Sequence, residues 1–291
     1  MPVDLWCPKM QAVLNADDLG RSIAINAAVL QAHREGVLTS ASLMVTGDAV
    51  EEAVAMARVT PTLAVGLHIV VVGGRAVLPP AQIPHLVDSN GRFPDDPLRV
   101  GLHYCFSRAA QHELAWEMTA QFDRFAAWGL PLSHVDSHMH MHVHPVIFDL
   151  LLPLAEQYGA RGLRLPRDDL RLALCYDRRH AGTKIAWAII LGLLCRWYAG
   201  RVRHYRMVVT ERVYGVLQSG QMQEAYVEAV LRRLHVPTAE LYFHPAIVPT
   251  GDSLGPNPGD LATLVSPRVR QAIQDRGLDL TTFPVLAQGG R

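Results

Sequence analysis

The chain has 291 residues, 49% hydrophobic and 19% charged, and its 27 Lys and Arg balance 27 Asp and Glu to a formal net charge of zero. That is an apolar-leaning globular composition, long enough for one α/β barrel or two ordinary domains. No basic stripe is interleaved with aromatics, which argues against nucleic acid as a partner. The four cysteines, at 7, 105, 175 and 195, lie far apart with no Cys-x-x-Cys spacing, which argues against a zinc ribbon or disulfide scaffold and suits a reducing compartment. Residues 1 to 11 contain Pro2, Asp4 and Pro8 and no apolar signal-peptide core, and no uninterrupted apolar run reaches the roughly 18–20 residues that span a bilayer. The expected location is the cytoplasm, free or peripheral on the inner membrane.

Short apolar runs alternate with amphipathic stretches along the whole chain. Strands are expected at 11–16, 39–46, 63–71, 132–138, 162–166, 207–213, 240–246 and 278–283. Helices are expected at 22–35, 49–58, 108–128, 145–158, 183–199, 221–234 and 267–276. Such repetition implies parallel strands with covering helices. About seven units and no convincing linker favour one α/β domain over 1–291, a closed or nearly closed barrel.

The first run, Gln11 to Ala16, ends in Asp17-Asp18-Leu19-Gly20, and Ser22 then opens an amphipathic segment, Ile23 to Glu35, that Gly36 closes. That is a strand, a turn and a capped helix. Neighbouring side chains at a strand end point in different directions, so one carboxylate can bind a metal while the other moves a proton. An isolated Asp-Asp reads more simply as a cap for the following helix. His68, in Leu63-Ala64-Val65-Gly66-Leu67-His68-Ile69-Val70, taken alone reads as a satisfied core histidine. The Pro/Gly-rich stretch from Gly73 to Pro97 reads as a long loop, either shaping a site or a mobile connection.

The most informative stretch is Asp136-Ser137-His138-Met139-His140-Met141-His142-Val143-His144-Pro145. If the backbone is extended, its histidines share one face with Asp136. Each imidazole in a core needs a hydrogen-bond partner, whereas clustered imidazoles hold a divalent metal well. The competing reading is a polar strand edge. Further on, Tyr242-Phe243-His244-Pro245-Ala246 ends another strand, and the Pro/Gly-rich segment Pro249 to Gly259 after it reads as a second wall or a plain connection.

The four motifs Asn-Ala-Asp-Asp-Leu-Gly (15–20), Val-Gly-Leu-His (65–68), Asp-Ser-His-Met-His-Met-His (136–142) and Tyr-Phe-His-Pro-Ala (242–246) come in an order that resembles the YdjC-like carbohydrate deacetylases, relatives of chitooligosaccharide deacetylase. The resemblance runs from about residue 11 to about residue 285 and is nearest to the branch associated with hopanoid biosynthesis. It implies a distorted (β/α) barrel, typically of seven parallel strands, polysaccharide-deacetylase-like. It implies metal-dependent removal of an N-acetyl group, with Asp18, His68 and His138 as ligands and Asp17 as general base. His244 is the candidate general acid or oxyanion contact. Asp136 is expected to orient an imidazole through its second nitrogen, and His140 to contact substrate or support a ligand. Arg164 is expected to meet a sugar hydroxyl or a carboxylate. His142 and His144 are expected to be solvated residues of the turn before Pro145. Leu19 stands where an aromatic residue is common in the family, which should tune packing beside the carboxylates. The resemblance suggests magnesium or zinc, and the mixed donor set also accepts cobalt or manganese.

The insert at about 183–206 bears on substrate. Residues 161 to 206 hold eleven Arg or Lys against Asp168, Asp169 and Asp177. Ile185 to Cys195 is apolar all round, then come Arg196-Trp197-Tyr198 and Arg201, Arg203 and Arg206. The run reads as too short to span a membrane and more apolar than a surface barrel helix requires. It suits a lipid interface or a groove for a greasy aglycone, against a buried barrel helix or a homodimer contact. The substrate expected is an N-acetylglucosamine unit on a hopanoid glycolipid. The alternatives are soluble chitooligosaccharides and a catalytically silent, membrane-peripheral binding protein.

Overall fold

Every residue of strand β1 (Gln11–Leu19) after Gln11 is buried, because the strand lies inside a sheet covered on both faces, where an uninterrupted apolar run is stable. The structure, a computed structural model, describes residues 9–251 and 254–289. The other strands are β2 (Ser40–Leu43), β3 (Ala64–Ile69), β4 (His134–Ser137), β5 (Gly162–Leu163), β6 (Arg212–Tyr214), β7 (Thr238–Phe243) and β8 (Asp279–Leu280). Their order is β5-β4-β3-β2-β1-β7-β6, with β8 pairing β1 off this path, and all the pairs are parallel. The sheet curls, and its edges meet through a parallel bridge between Gly162 and Val208 and a bond from Val213 N to Arg167 O of 3.1 Å. The expected seven-stranded α/β barrel is what the chain forms, in a distorted version.

The covering helices are α1 (Ile23–Glu35), α2 (Val50–Arg58), α3 (Pro97–Phe106), α4 (Arg108–Ala127), α5 (Pro145–Gln157), α6 (Leu170–Tyr176), α7 (Ala181–Val202), α8 (Glu224–Arg233), α9 (Pro258–Leu264), α10 (Pro267–Asp275) and α11 (Phe283–Gly289). Several start on side-chain caps that satisfy orphan amides of the first turn. Ser22 accepts from Ile25 N, Asp96 from Leu98 N and Arg99 N, and Ser266 from Arg268 N and Val269 N.

Helices α3, α6, α9 and α11 are not among the expected ones; α6, α9 and α11 have seven residues each, and α3 follows directly on the Pro/Gly-rich stretch. Of the expected strand 207–213 only Arg212 and Val213 fall in β6, which runs on to Tyr214; Val208 makes an isolated bridge to Gly162 instead. The Gly73–Pro97 stretch is a loop, as read, but anchored. Val77 N and Leu78 N donate to Glu117, and His85 N donates to Glu113, both on α4. The insert is also longer than its apolar run. α7 has 22 residues and is long and apolar enough to cross a membrane by length and composition, which corrects the expectation that it is too short. Flanking residues outside the uninterrupted run extend the helix.

Candidate active site

β1 ends in a bulge. Ala16 pairs with Ala41 but Leu19 pairs with Leu43, one residue more on β1 than on β2, and Asp18 has a left-handed backbone with φ 65. A bulge re-aims a side chain that strand alternation would send to the opposite face, and both carboxylates lie beside His68. The Asp18 Oδ1 atom is 3.3 Å from His138 Nδ1 and 3.5 Å from His68 Nε2, while Arg21 donates to Oδ2 at 2.8 Å. Burial pushes the Asp18 pKa up, but His138, His244 and His68 around it hold it well below the usual carboxylate range.

The register of β3 and β4 sets His68 beside Asp136, and His68 Nδ1 donates to Asp136 Oδ1 at 2.7 Å. That bond fixes the tautomer and leaves Nε2 for the Asp18 side. Burial depresses the His68 pKa, yet the carboxylates of Asp136, Asp17 and Asp18 bring it up to about 8.

The histidine run is not extended. The strand stops at Ser137, and His138–Val143 forms a 3-10 turn in which Met139 and His140 have left-handed φ of 53 and 54. His142 N donates to Ser137 Oγ at 2.7 Å, which closes the turn. The expectation of one shared face therefore fails, and the turn deals its histidines to different partners. His138 faces Asp18. His140 Nε2 meets the Tyr242 hydroxyl at 2.9 Å. His142 is fully buried, not solvated as expected. Its Nε2 donates to Arg164 O at 3.0 Å and its Nδ1 accepts from Ser137 Oγ at 2.8 Å. Burial drives its pKa down to about 4, so the neutral ring is a bracket between the turn and the residue that follows β5. His144 is half-buried, with Nε2 3.2 Å from Cys105 Sγ.

Behind this set lies Arg164, with no exposed surface. Its NH1 and NH2 donate to Asp17 Oδ2 and Oδ1 at 2.6 and 2.7 Å. NH2 also lies 2.9 Å from Asp136 Oδ2, and Nε donates to Glu240 Oε1 at 2.9 Å. Of the two partners expected for it, Arg164 takes carboxylates; a sugar hydroxyl cannot reach so deep. Burial acts to lower its pKa, but Asp136, Asp17 and Glu240 raise it well above the ordinary value, so the guanidinium stays charged. Asn15 Nδ2 donates to Asp17 Oδ1, and Ser42 Oγ to Asp136 Oδ2, each at 2.8 Å.

Glu240 and Ser42 are absent from the sequence motifs, and Asn15 and Tyr242 lie in them without an expected role. One signal was available for Glu240 and Tyr242: with His244 they alternate along β7, so they share a face. Burial raises the Glu240 pKa to about 7 against the pull of Arg164. His244 follows the end of β7, where its backbone N donates to Asp260 Oδ2 at 2.8 Å. Its ring lies edge-on to Tyr242 at 5.6 Å, and its buried Nδ1 has no hydrogen-bond partner among the described residues.

Ligand atoms of Asp18, His68 and His138 lie within 4.8 Å of one another. The buried Asp18 Oδ1 accepts no hydrogen bond among the described residues, an orphan that a cation would satisfy. Asp17, His68 and Asp136 form a second close set, but Arg164 already holds both oxygens of Asp17 and Oδ2 of Asp136, and would repel a cation. One carboxylate and two imidazoles therefore fit a divalent metal, and the first set is the place for it.

The chain matches the YdjC-like protein family over residues 11–275. It is 33% identical over 282 residues to a carbohydrate deacetylase of Brevibacillus brevis, covering 95% of this chain and 100% of that one. A carbohydrate deacetylase of Geobacillus stearothermophilus is 32% identical, covering 93% and 96%. A chitooligosaccharide deacetylase of Serratia marcescens is 29% identical, covering 93% and 97%. The fold is shared with the crystal structure of a putative cellobiose-phosphate cleavage protein of Enterococcus faecalis V583, with a TM-score of 0.73 at 22% identity, covering 96% of this chain and 99% of that one.

Proposed function

The chain belongs to the YdjC-like protein family, and on that premise we propose that it is a metal-dependent carbohydrate N-deacetylase acting on an N-acetylglucosamine unit of a hopanoid glycolipid. The observation that carries the reading is the separation of roles at the barrel end. Asp18, His68 and His138 converge with an orphaned carboxylate oxygen, while Asp17 is bound to Arg164 and kept apart.

Asp18, His68 and His138 would hold the cation, magnesium or zinc before cobalt or manganese. When bound, it would supply Lewis-acid polarisation of the acetyl carbonyl and make water easier to deprotonate. Asp17 takes the proton from the attacking water. Arg164 and Asn15 fix its orientation, and each of its oxygens keeps lone-pair capacity for the incoming proton. His244 stands beside Asp18 and gives a proton to the departing amine. Asp136 holds the His68 ring, and Tyr242 holds His140 at the rim. The lipid part of the reading is supported by α7, whose outer face carries Ile185, Ile189, Leu193 and Trp197 exposed.

A second reading, soluble chitooligosaccharides as substrate, is favoured by the Serratia relative. The test is mass spectrometry of N-acetylglucosaminyl hopanoid and of chitooligosaccharides incubated with protein and defined metals. Loss of one acetyl group from the lipid, dependent on added metal, is the expected result. Turnover of the oligosaccharide alone favours the second reading, and loss from neither with every metal rejects both.

A further inference from the structure

α7 is apolar on two opposite faces. Leu191, Cys195, Tyr198 and Val202 are buried against the barrel, at the spacing of one helix face. The Tyr198 hydroxyl donates to Val143 O at 3.0 Å, and its ring stacks on Phe148 at 3.6 Å. Arg201 pairs with Asp149 of α5 at 2.6 Å. These contacts hold the helix along the barrel, so it cannot stand across a bilayer.

The other face has no such partner among the described residues. Ile185, Ile189, Leu193 and Trp197 recur every fourth residue and are 40, 56, 65 and 58% exposed, with Ile190 49% exposed beside them and Trp187, also 49% exposed, at the flank of the packed face. The stripe is about 18 Å long at the rise of an α-helix. A soluble surface seldom leaves so continuous an apolar patch uncovered.

Charge selects the occupant. No Asp or Glu lies between Asp177 and Glu211, and both ends of the stripe are basic. Arg178 and Arg179 precede it; Arg196, Arg203 and Arg206 are exposed at its far end. A second copy docked on this stripe, parallel or antiparallel, would set arginine against arginine. An anionic bilayer surface supplies the opposite charge along with an apolar layer. Trp187 and Trp197 are suited to the boundary between the two.

We infer that α7 lies flat in the interface of an anionic bilayer and docks the protein there. A cleft of about 220 Å³ under α7, lined by Arg167 and Asp168 beyond β5, Leu217 beyond β6, and Ala188 and Leu191, lies at the strand ends that also carry the candidate active site. Docking therefore brings that end of the barrel toward the lipid. The inference does not depend on the deacetylase reading, because it is tested without substrate.

The full chain is mixed with vesicles of phosphatidylcholine alone or with phosphatidylglycerol, then sedimented. The parent should pellet with the anionic vesicles and be released by salt. Ile185→Ser with Leu193→Ser, which spares the cleft, should weaken the partition on the order of tenfold or more with its cooperative melt intact. Arg196→Gln with Arg203→Gln and Arg206→Gln should erase the preference for phosphatidylglycerol. If the serine variant does not fold, the parent alone decides. Brominated lipid should quench its tryptophan fluorescence, and Trp187→Phe with Trp197→Phe should abolish that quenching. A parent that neither pellets nor is quenched at low salt overturns the inference. So does a folded serine variant that pellets like the parent, or a parent dimer that the serine pair dissociates without any vesicle binding.

Discussion

Asp17 and Asp18, adjacent in sequence, hand their carboxylates to different partners. Both Asp17 oxygens are held by Arg164, at 2.6 and 2.7 Å, whereas Asp18 Oδ1 lies 3.3 Å from His138 Nδ1 and accepts no hydrogen bond among the described residues. The bulge in β1 and the left-handed backbone at Asp18 make that division.

The division predicts opposite phenotypes. Asp17→Asn should keep metal but lose turnover by about 10²-fold or more, the scale of a lost general base. Asp18→Asn should lose metal affinity first. Metal titration of the two purified variants checks this; equal losses would mean that the pair binds the cation jointly.

His68→Ala and His138→Ala should each remove most bound metal, since a three-ligand site rarely survives on two. Measured stoichiometry by elemental analysis is the readout. Full metal content in either variant would strike that histidine from the ligand set.

Arg164 joins Asp17, Asp136 and Glu240 in the interior. Arg164→Met should destabilise the fold by about 3–5 kcal/mol, because it leaves buried carboxylates without their cation. Arg164→Lys should recover part of the stability but not the two-point grip on Asp17. Denaturant unfolding measures both, and a methionine variant as stable as the parent would refute the arrangement.

Glu240 gives a pH dependence. Its folded pKa of about 7 exceeds the value of 4.5 for the free side chain, so the folded state favours its protonated form. Its contribution to stability is complete below the unfolded value and is lost as pH rises through about 7, on the order of 3 kcal/mol over that window. Glu240→Gln mimics the protonated form and should remove this slope. Between about pH 5 and about pH 8, the parent should therefore lose ground to the variant. Parallel stability curves would place the proton elsewhere.

The strand-and-helix alternation needed only local pattern, so the parallel α/β barrel was legible in the chain itself. So were the motifs ending β1, β3, β4 and β7, because those motifs lie within single strand ends. What local pattern could not supply was the path of the backbone between residues. Period-two spacing put His138, His140 and His142 on one face, but a hydrogen bond from His142 N to Ser137 Oγ curls that segment into a turn. The burial of His142 and the inward aim of Arg164 depend on strands far apart in sequence, as do the bonds from Arg164 to Asp17 and Glu240. The two faces of α7 follow the same rule. Its apolar sequence is uniform, and only packing on Phe148 and Val143 distinguishes the covered side from the bare one. Local propensity writes the elements; which buried charges meet is set by strand order, which only the folded chain creates.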